Sequence, residues 1–158
     1  AKFTRLYFKD CYIDGTTDFI FGPSTALFEN CMIHSKRNSY VTAASTPKEA
    51  KYGYIFKHCK LTAEPGVDKV YLGRPWRPYA YTLFIECELG KHIVPAGWHN
   101  WGKQSNEETA RYMEYKNTGE GANVSERVAW SKQLTKKEAE AVTVDAIFGT
   151  QSNWNPID

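Results

Sequence analysis

Hydrophobic positions along the chain recur in four similar segments. Each segment has Phe three residues before Cys, a polar residue directly before that Cys, and Ile or Leu two residues after it. The four cysteines lie 20, 28 and 28 residues apart. Self-similarity at such a spacing is typical of a solenoid, in which each repeat packs on its neighbours. The segments are LYFKDCYI (6–13), ALFENCMI (26–33), YIFKHCKL (54–61) and TLFIECEL (82–89).

The composition of these segments indicates strands. They are rich in aromatic and β-branched residues and hold no helix-length pattern. Phe and Cys lie an odd number of positions apart, so in one unbroken strand they would face opposite sides. Both face inward only if the backbone bends between them. Asp10 and Asn30 stand at that point, and Asp and Asn tolerate the left-handed conformation that a bend needs. We therefore predict a strand, a one-residue corner and a second strand in each unit.

Stacked coils bring equivalent positions together. Neighbouring strands lie about 4.8 Å apart, so Phe would stack over Phe and Cys over Cys. The cysteines then act as small apolar core residues with free thiols. Four cysteines in a short chain also allow disulfides, and a metal site is a further alternative. No CxxC pair supports zinc.

The rest of the chain predicts a shorter second part. After the repeats, residues 111–115 form another strand-like stretch. Thr135 and Glu138 form a capping-box pattern ahead of a short helix that ends near Val142. We expect the tail, residues 146–154, to pack back on the solenoid and cover its open end. The pattern as a whole predicts an all-β solenoid in a single domain, 1–158, with coils to about residue 130 and a helical or irregular tail over 131–158.

Charge and composition narrow the classes of function that the chain can have. The chain has 20 Lys and Arg against 18 Asp and Glu, a net charge of +2, which argues against a strong nucleic-acid-binding surface. Aromatic residues make up 15%, so some can face a sugar while others pack. No apolar run approaches the roughly 20 residues that span a membrane. The chain begins without Met or a signal-peptide pattern. We expect a start inside a larger protein or one chosen in cloning.

Two segments carry candidate chemistry. Asp18 lies among large apolar residues, where a carboxylate needs a partner or serves only a turn. Arg74, fixed between Gly73 and Pro75, is a suitable cationic partner that keeps a carboxylate ionised. Trp76 follows it and offers a platform for a sugar ring. The alternative is a surface loop in which Arg and Trp merely stack.

These segments resemble the pectinesterase family. Residues 13–22, IDGTTDFIFG, match the family signature I-x-G-T-x-D-F-I-F-G around its catalytic aspartate at every fixed position. Residues 71–76, YLGRPW, resemble the second active-site block, residues 95–98 the third, and residues 114–119 a stretch near the family's C-terminus. The resemblance covers nearly the whole chain in the family's order. Residues 4–21 favour a bacterial source.

The resemblance implies a fold and an activity. Members are right-handed parallel β-helices that hydrolyse methyl esters of homogalacturonan to methanol and free carboxylates, without a metal or organic cofactor. By resemblance, Asp18 is the nucleophile that forms an acyl-enzyme, and Arg74 holds it ionised. The implied partner is pectin, with no nucleic acid or membrane, and the implied location is secreted, periplasmic or cell-surface. The full-length form is expected to be a monomer. Substrate-binding residues would be Thr17, Phe21, Trp76 and Trp98.

One departure from the family bears on activity. The family's second aspartate, its general acid and base, lies in a Gln-Asp-Thr block one coil upstream of the nucleophile, which here falls before Ala1. Its two oxyanion glutamines also come from earlier coils, and this chain has no Gln before Gln104. One oxyanion donor is worth about 10²–10³ in rate and an acid/base group about 10²–10⁴. We expect an N-terminally truncated β-helix that has little activity alone.

Three classes of alternative compete with an esterase: another pectin-degrading β-helix enzyme, a non-catalytic binding fragment and a structural solenoid. A polygalacturonase needs a carboxylate cluster and a calcium-dependent pectate lyase needs converging acidic ligands; the sequence has no adjacent Asp pair. A non-catalytic pectin-binding β-helix fragment could keep Trp76 and Trp98 and bind without turnover. A purely structural solenoid leaves Asp18 and Arg74 unexplained.

Overall fold

The computed structural model describes residues 4–149 and 154–157. Its elements are mostly short strands. Those of the repeats are β1 Arg5–Lys9, β2 Tyr12–Gly15, β3 Ile20–Gly22, β4 Thr25–Glu29, β5 Met32–Ser35, β6 Tyr40–Ala44, β7 Tyr54–Lys57, β8 Lys60–Ala63, β9 Tyr71–Gly73, β10 Tyr81–Ile85 and β11 Glu88–Leu89. They are followed by α1 Asn106–Thr109, β12 Arg111–Tyr115, a 3-10 helix at Glu120–Ala122, β13 Lys132–Gln133, α2 Lys136–Glu140 and α3 Val144–Phe148.

The strands form three parallel sheets that run along a solenoid. The first sheet has the order β1-β4-β7-β10-β12-β13, the second β11-β8-β5-β2, and the third β3-β6-β9. Each coil adds one strand to a sheet, so strands that pair are one coil apart in sequence. The chain is a right-handed parallel β-helix, as predicted. Its strands extend to Gln133.

A ladder of stacked side chains fills the interior. The ring of Phe28 lies 4.8 Å from that of Phe8 and 4.5 Å from that of Phe56, with interplanar angles of 5° and 9°. Phe84 continues the stack at 4.4 Å from Phe56. The cysteines form a parallel row and all four are free thiols. Burial raises the pKa of the Cys87 thiol, consistent with a core role. The predicted alignment of Phe and Cys is therefore confirmed.

One-residue corners separate the first and second sheets. The residue before each Cys has a left-handed backbone, with φ values of 54°, 52°, 52° and 50° at Asp10, Asn30, His58 and Glu86. The predicted corner is confirmed at all four. A fifth corner occurs at Lys116, where φ is 47°. The sequence pattern missed it because Asn replaces Cys at the next position.

The tail packs against the outer side of the first sheet. Thr135 and Glu138 form the predicted capping box of α2. The helix α3 was not predicted; Thr143 caps it by accepting the Ala146 N–H at 3.1 Å. Ile147 and Phe148 are buried beside outward-facing strand residues, so this part of the tail covers a side of the solenoid and not the open end that was expected. Residues 150–153 of the expected tail lie outside the described residues. The strand residues that the tail covers are Leu27, Ile55, Leu83 and Ile85.

Within the described residues, no helix is both long and apolar enough to cross a membrane.

A buried ion pair anchors the loop that follows β12. The Glu114 side chain is 1% exposed and that of Arg127 4%. Arg127 donates from Nε to Oε2 at 2.9 Å and from Nη2 to Oε1 at 3.1 Å. It also donates to the carbonyl oxygen of Pro95 at 3.0 Å. The pair thus ties this loop to the segment that runs alongside β9.

Candidate active site

Asp18 lies in the turn between β2 and β3. Its φ is 51°, a left-handed value that is uncommon for a residue with a side chain and occurs often at functional sites. Its N–H donates to the carbonyl oxygen of Tyr40 at 2.9 Å, which fixes the turn against the next coil. Gly15 makes the turn possible, because a Cβ there would lie 2.3 Å from Cβ of Phe19. The motif around Asp18 is therefore a tightly packed turn that presents one carboxylate.

Arg74 follows β9 and reaches back across two coils to Asp18. Its N–H donates to the carbonyl oxygen of Thr42 at 3.0 Å. Nε donates to Oδ1 of Asp18 at 3.0 Å and Nη2 to Oδ2 at 2.6 Å. This is the bidentate geometry that a guanidinium makes with a carboxylate. The hydrogen bond to Asp18 is the largest cause of the raised pKa of Arg74. The two side chains are 22% and 20% exposed, so the pair is shielded yet reachable.

Two aromatic rings clamp the Arg74 guanidinium. Its Cζ lies 4.0 Å from the ring centroid of Tyr40 and 3.9 Å from that of Trp101. Tyr40 in turn stacks on Tyr71 of β9 at 5.2 Å. Stacking on both faces leaves the edge of the guanidinium free to bind the carboxylate. The sequence pattern did not predict Tyr40 and Trp101. The aromatic residues at the start of β6 and β9 could have indicated Tyr40, because they pair in register.

His99 supports the clamp. Its ring lies edge-on to Tyr40 at 5.5 Å and to Tyr71 at 5.3 Å. Its Nδ1 accepts the backbone N–H of Trp101 at 3.0 Å, so this nitrogen carries no proton. Burial, and secondly the charge of Arg74, lowers the pKa of His99. Neutral His99 therefore holds Trp101 in its left-handed conformation, at φ of 62°.

The expected aromatic residues Phe21 and Trp76 flank the pair at the surface. They are 63% and 41% exposed. Their rings meet edge to face with centroids 6.0 Å apart. Phe21 projects from β3 and Trp76 from the loop after β9, so the two chain segments that carry Asp18 and Arg74 also carry this platform. Thr17, the other expected contact, is exposed directly beside Asp18.

Trp98 does not lie at this surface, contrary to expectation. Its side chain is 1% exposed and stacks on Tyr112 at 4.2 Å. A Cβ at Gly73 would lie 3.2 Å from the Trp98 ring and 2.2 Å from Oγ1 of Thr42. The Trp98 ring thus fills the space behind the backbone that leads to Arg74. Alternation along the segment turns His99 outward and Trp98 into the core, where it cannot contact a bound sugar.

Within the described residues, Arg74 donates both of the hydrogen bonds that the Asp18 carboxylate accepts. In the same part of the chain, no cluster of three or more His, Cys, Asp or Glu side chains could hold a metal ion. A paired and oriented carboxylate beside exposed aromatic rings can act chemically as a nucleophile towards a carbonyl carbon of a bound sugar.

The geometry defines the class of protein: it is a parallel β-helix with a carboxylate–guanidinium site beside the third sheet. The family model described as Pectinesterase matches residues 1–151. The chain therefore belongs to the pectinesterase family. It is 44% identical over 136 residues to Pectinesterase 31 of Arabidopsis thaliana, which covers 85% of this chain and 43% of that protein.

Solved structures show the same likeness. The pectin methylesterase from carrot matches with a TM-score of 0.85 and 34% identity, over 90% of this chain and 50% of that one. A pectin methylesterase in complex with a hexasaccharide matches with a TM-score of 0.78 and 31% identity, over 96% of this chain and 53% of that one. The chain spans about half the length of the relatives it matches. Because the relatives of higher identity are plant proteins, the expected bacterial source is not supported.

Proposed function

We propose that this chain supplies the nucleophile of a pectin methylesterase site, which removes methyl esters from homogalacturonan. The observation that carries the proposal is the bidentate pair of Asp18 and Arg74, held in the two motifs that resemble the family's active-site blocks. The family membership of the chain and its likeness to solved pectin methylesterases support it.

In the proposed reaction, a carboxylate oxygen of Asp18 attacks the ester carbonyl carbon. The C–OCH₃ bond breaks and the departing methoxide takes up a proton to leave as methanol. The resulting acyl-enzyme is an anhydride, which water hydrolyses to a free sugar carboxylate and the original Asp18 carboxylate. Arg74 stays protonated throughout and fixes the plane of the carboxylate for attack. We assign proton transfer and oxyanion stabilisation to no residue described here.

The exposed platform of Phe21 and Trp76 supports a polysaccharide substrate. Aromatic rings offer flat apolar faces to sugar rings, and the two residues lie in the chain segments that carry the reacting pair. One structurally similar pectin methylesterase is known in complex with a hexasaccharide. From a cell-wall polymer as substrate we infer a secreted, periplasmic or cell-surface location for the proposed activity. A binding module without turnover is the second candidate, because the platform alone could serve it.

The decisive assay measures methanol release from highly methyl-esterified pectin. The protein is a chimera in which residues 1–158 replace the matching part of Pectinesterase 31, with that enzyme and the 158-residue chain assayed alongside. We expect the chimera to release methanol and to generate one carboxylate per methanol. A folded chimera that binds pectin but releases no methanol would establish the binding module instead.

A further inference from the structure

The turn that carries Trp101 is held by side chains that bond its own backbone. Nδ1 of His99 accepts the N–H of Trp101 at 3.0 Å, and Oδ1 of Asn100 accepts the N–H of Gly102 at 2.8 Å. The φ of Trp101 is 62°, a left-handed value that costs free energy in a residue with a side chain and persists only where contacts hold it. The position of the Trp101 ring, 3.9 Å from Cζ of Arg74, therefore depends on an acceptor at His99.

The acceptor on His99 is lost when its ring takes up a proton. An imidazolium carries hydrogen on both nitrogens, so Nδ1 would then point an N–H at the N–H of Trp101. The ring is partly exposed, which lets a proton reach it from solvent. Burial, and secondly the charge of Arg74, lowers the pKa of His99, so the closed arrangement favours the neutral ring. Protonation thus removes a hydrogen bond and adds a positive charge beside Arg74.

The groups around His99 bring no full negative charge to offset an imidazolium. Tyr71 of β9 and Tyr40 of β6 meet its ring edge to face, at 5.3 Å and 5.5 Å between centroids. Arg74 is the charged group on the segment after β9, and its own partner Asp18 lies on the far side of the guanidinium. Among the described residues, no carboxylate forms an ion pair with His99. A proton on His99 is therefore accommodated most easily by opening the turn.

We propose that His99 is a proton-sensing positioning residue: when neutral it holds Trp101 against Arg74, and when protonated it releases Trp101 and leaves Arg74 less well oriented towards Asp18. The proposal rests on the proposed function, since its effect on the reaction passes through the Asp18–Arg74 pair. The open turn takes up the proton near the ordinary histidine pKa of about 6.5 and the closed turn only at lower pH. The clamp is therefore closed above about pH 6.5 and opens as the pH falls through the lower value.

This arrangement would let the proposed esterase respond to its own product. Each methyl ester that is hydrolysed gives a carboxylic acid, which releases a proton near neutral pH. The reaction thus acidifies its surroundings, and a protonated His99 would slow further turnover until the proton is buffered or diffuses away.

Two substitutions separate the hydrogen bond of His99 from its titration. His99→Asn keeps an acceptor that does not titrate, because Oδ1 of an Asn accepts the N–H two residues ahead, as Asn100 does for Gly102. His99→Leu has no acceptor at any pH. The measurement is kcat/KM for methanol release by the chimera between about pH 5 and about pH 8. The groups that Pectinesterase 31 supplies are the same in every chimera, so the ratio between variants isolates position 99.

We expect the ratio of the rate at pH 5 to the rate at pH 8 to be about fivefold to tenfold higher in His99→Asn than in the unaltered chimera. At pH 8, His99→Leu should be about fivefold to tenfold slower than His99→Asn, and its relative loss should not grow at pH 5. A merely structural role would lower the rate equally at every pH. The proposal is overturned if His99→Asn, folded by circular dichroism, keeps the pH profile of the unaltered chimera.

A second measurement uses the 158-residue chain and needs no turnover. Nuclear magnetic resonance follows the His99 imidazole and the backbone N–H of Trp101 as the pH is lowered. We expect both signals to titrate with one midpoint below about 6.5, and the Trp101 signal to stay constant in His99→Asn. A Trp101 signal that ignores the protonation of His99 would also overturn the proposal. Coupled titration together with a chimera that releases no methanol would support the proton sensor and count against the proposed esterase.

Discussion

The Trp98 ring lies directly behind Gly73, 3.2 Å from where a Cβ on that glycine would stand. The backbone N–H of the residue after Trp98 donates to the carbonyl oxygen of Gly73 at 3.1 Å. Arg74 comes next in the chain. A core residue therefore helps to set the position from which Arg74 reaches Asp18.

This relationship predicts opposite roles for two tryptophans. Trp98→Ala should lower the free energy of unfolding by about 3–5 kcal/mol, because it opens a large cavity in the core. Trp76→Ala, at an exposed position, should change it by less than about 1 kcal/mol and weaken pectin binding. Urea denaturation and a pectin-binding assay measure the two effects. Equal destabilisation by both substitutions would contradict the assignment.

The clamp around Arg74 predicts that lysine cannot replace it. An ammonium group cannot make two parallel hydrogen bonds to a carboxylate or stack as a plane between two rings. Arg74→Lys, in the chimera, should lower the rate of methanol release about 30- to 100-fold, equivalent to about 2–3 kcal/mol. Arg37→Lys, in an exposed turn, is the control and should leave the rate of methanol release unchanged. A fully active Arg74→Lys would remove the orienting role from Arg74.

The buried pair of Glu114 and Arg127 predicts a large loss of stability when one member is removed. Arg127→Met leaves a carboxylate that is 1% exposed without its partner, at a cost of about 3–5 kcal/mol in unfolding free energy. Lys132→Met breaks an exposed pair with Glu138 and should cost less than about 1 kcal/mol. Chemical denaturation of both variants checks the difference; similar losses would count against this anchor.

His92 predicts a particular dependence of stability on pH. Burial lowers its pKa to about 4, and the charge of His34 adds to the effect. Because the unfolded chain takes up the proton near pH 6.5, stability falls as the pH drops from about 6.5 to about 4, by up to about 3 kcal/mol, and levels off below. His92→Gln should flatten this part of the profile. Identical profiles for His92→Gln and the unaltered chain would refute the assignment.

The repeat made much of the fold predictable. The spacing of Phe, Cys and the corner residue sets the register of neighbouring coils, because Phe and Cys must both face inward, one on each side of the corner. The corner at Lys116 escaped notice because Asn117 takes the place of Cys and accepts the Cys87 N–H through its side chain, at 2.9 Å. The helix α3 escaped notice because it is short and is stabilised by packing on the first sheet rather than by its own pattern.

The candidate site was predictable only where its motifs are local. Asp18 and Arg74 each lie in a distinctive segment, and their opposite charges favour a pair. The clamp joins residues from three separate coils, so it depends on register and loop path, which no single segment encodes. Trp98 was assigned to the wrong side because sequence alone does not show which way a short segment beside a strand faces.

The most direct test of the central claim compares two neighbouring aspartates in the chimera by methanol release. Asp18→Asn should reduce release by at least about a thousandfold, since an amide is a poor nucleophile, while pectin binding persists. Asp14→Asn removes an exposed carboxylate paired with Lys36 at 3.2 Å and should retain activity within about twofold. Near-normal methanol release by Asp18→Asn would contradict the role of Asp18 as the nucleophile.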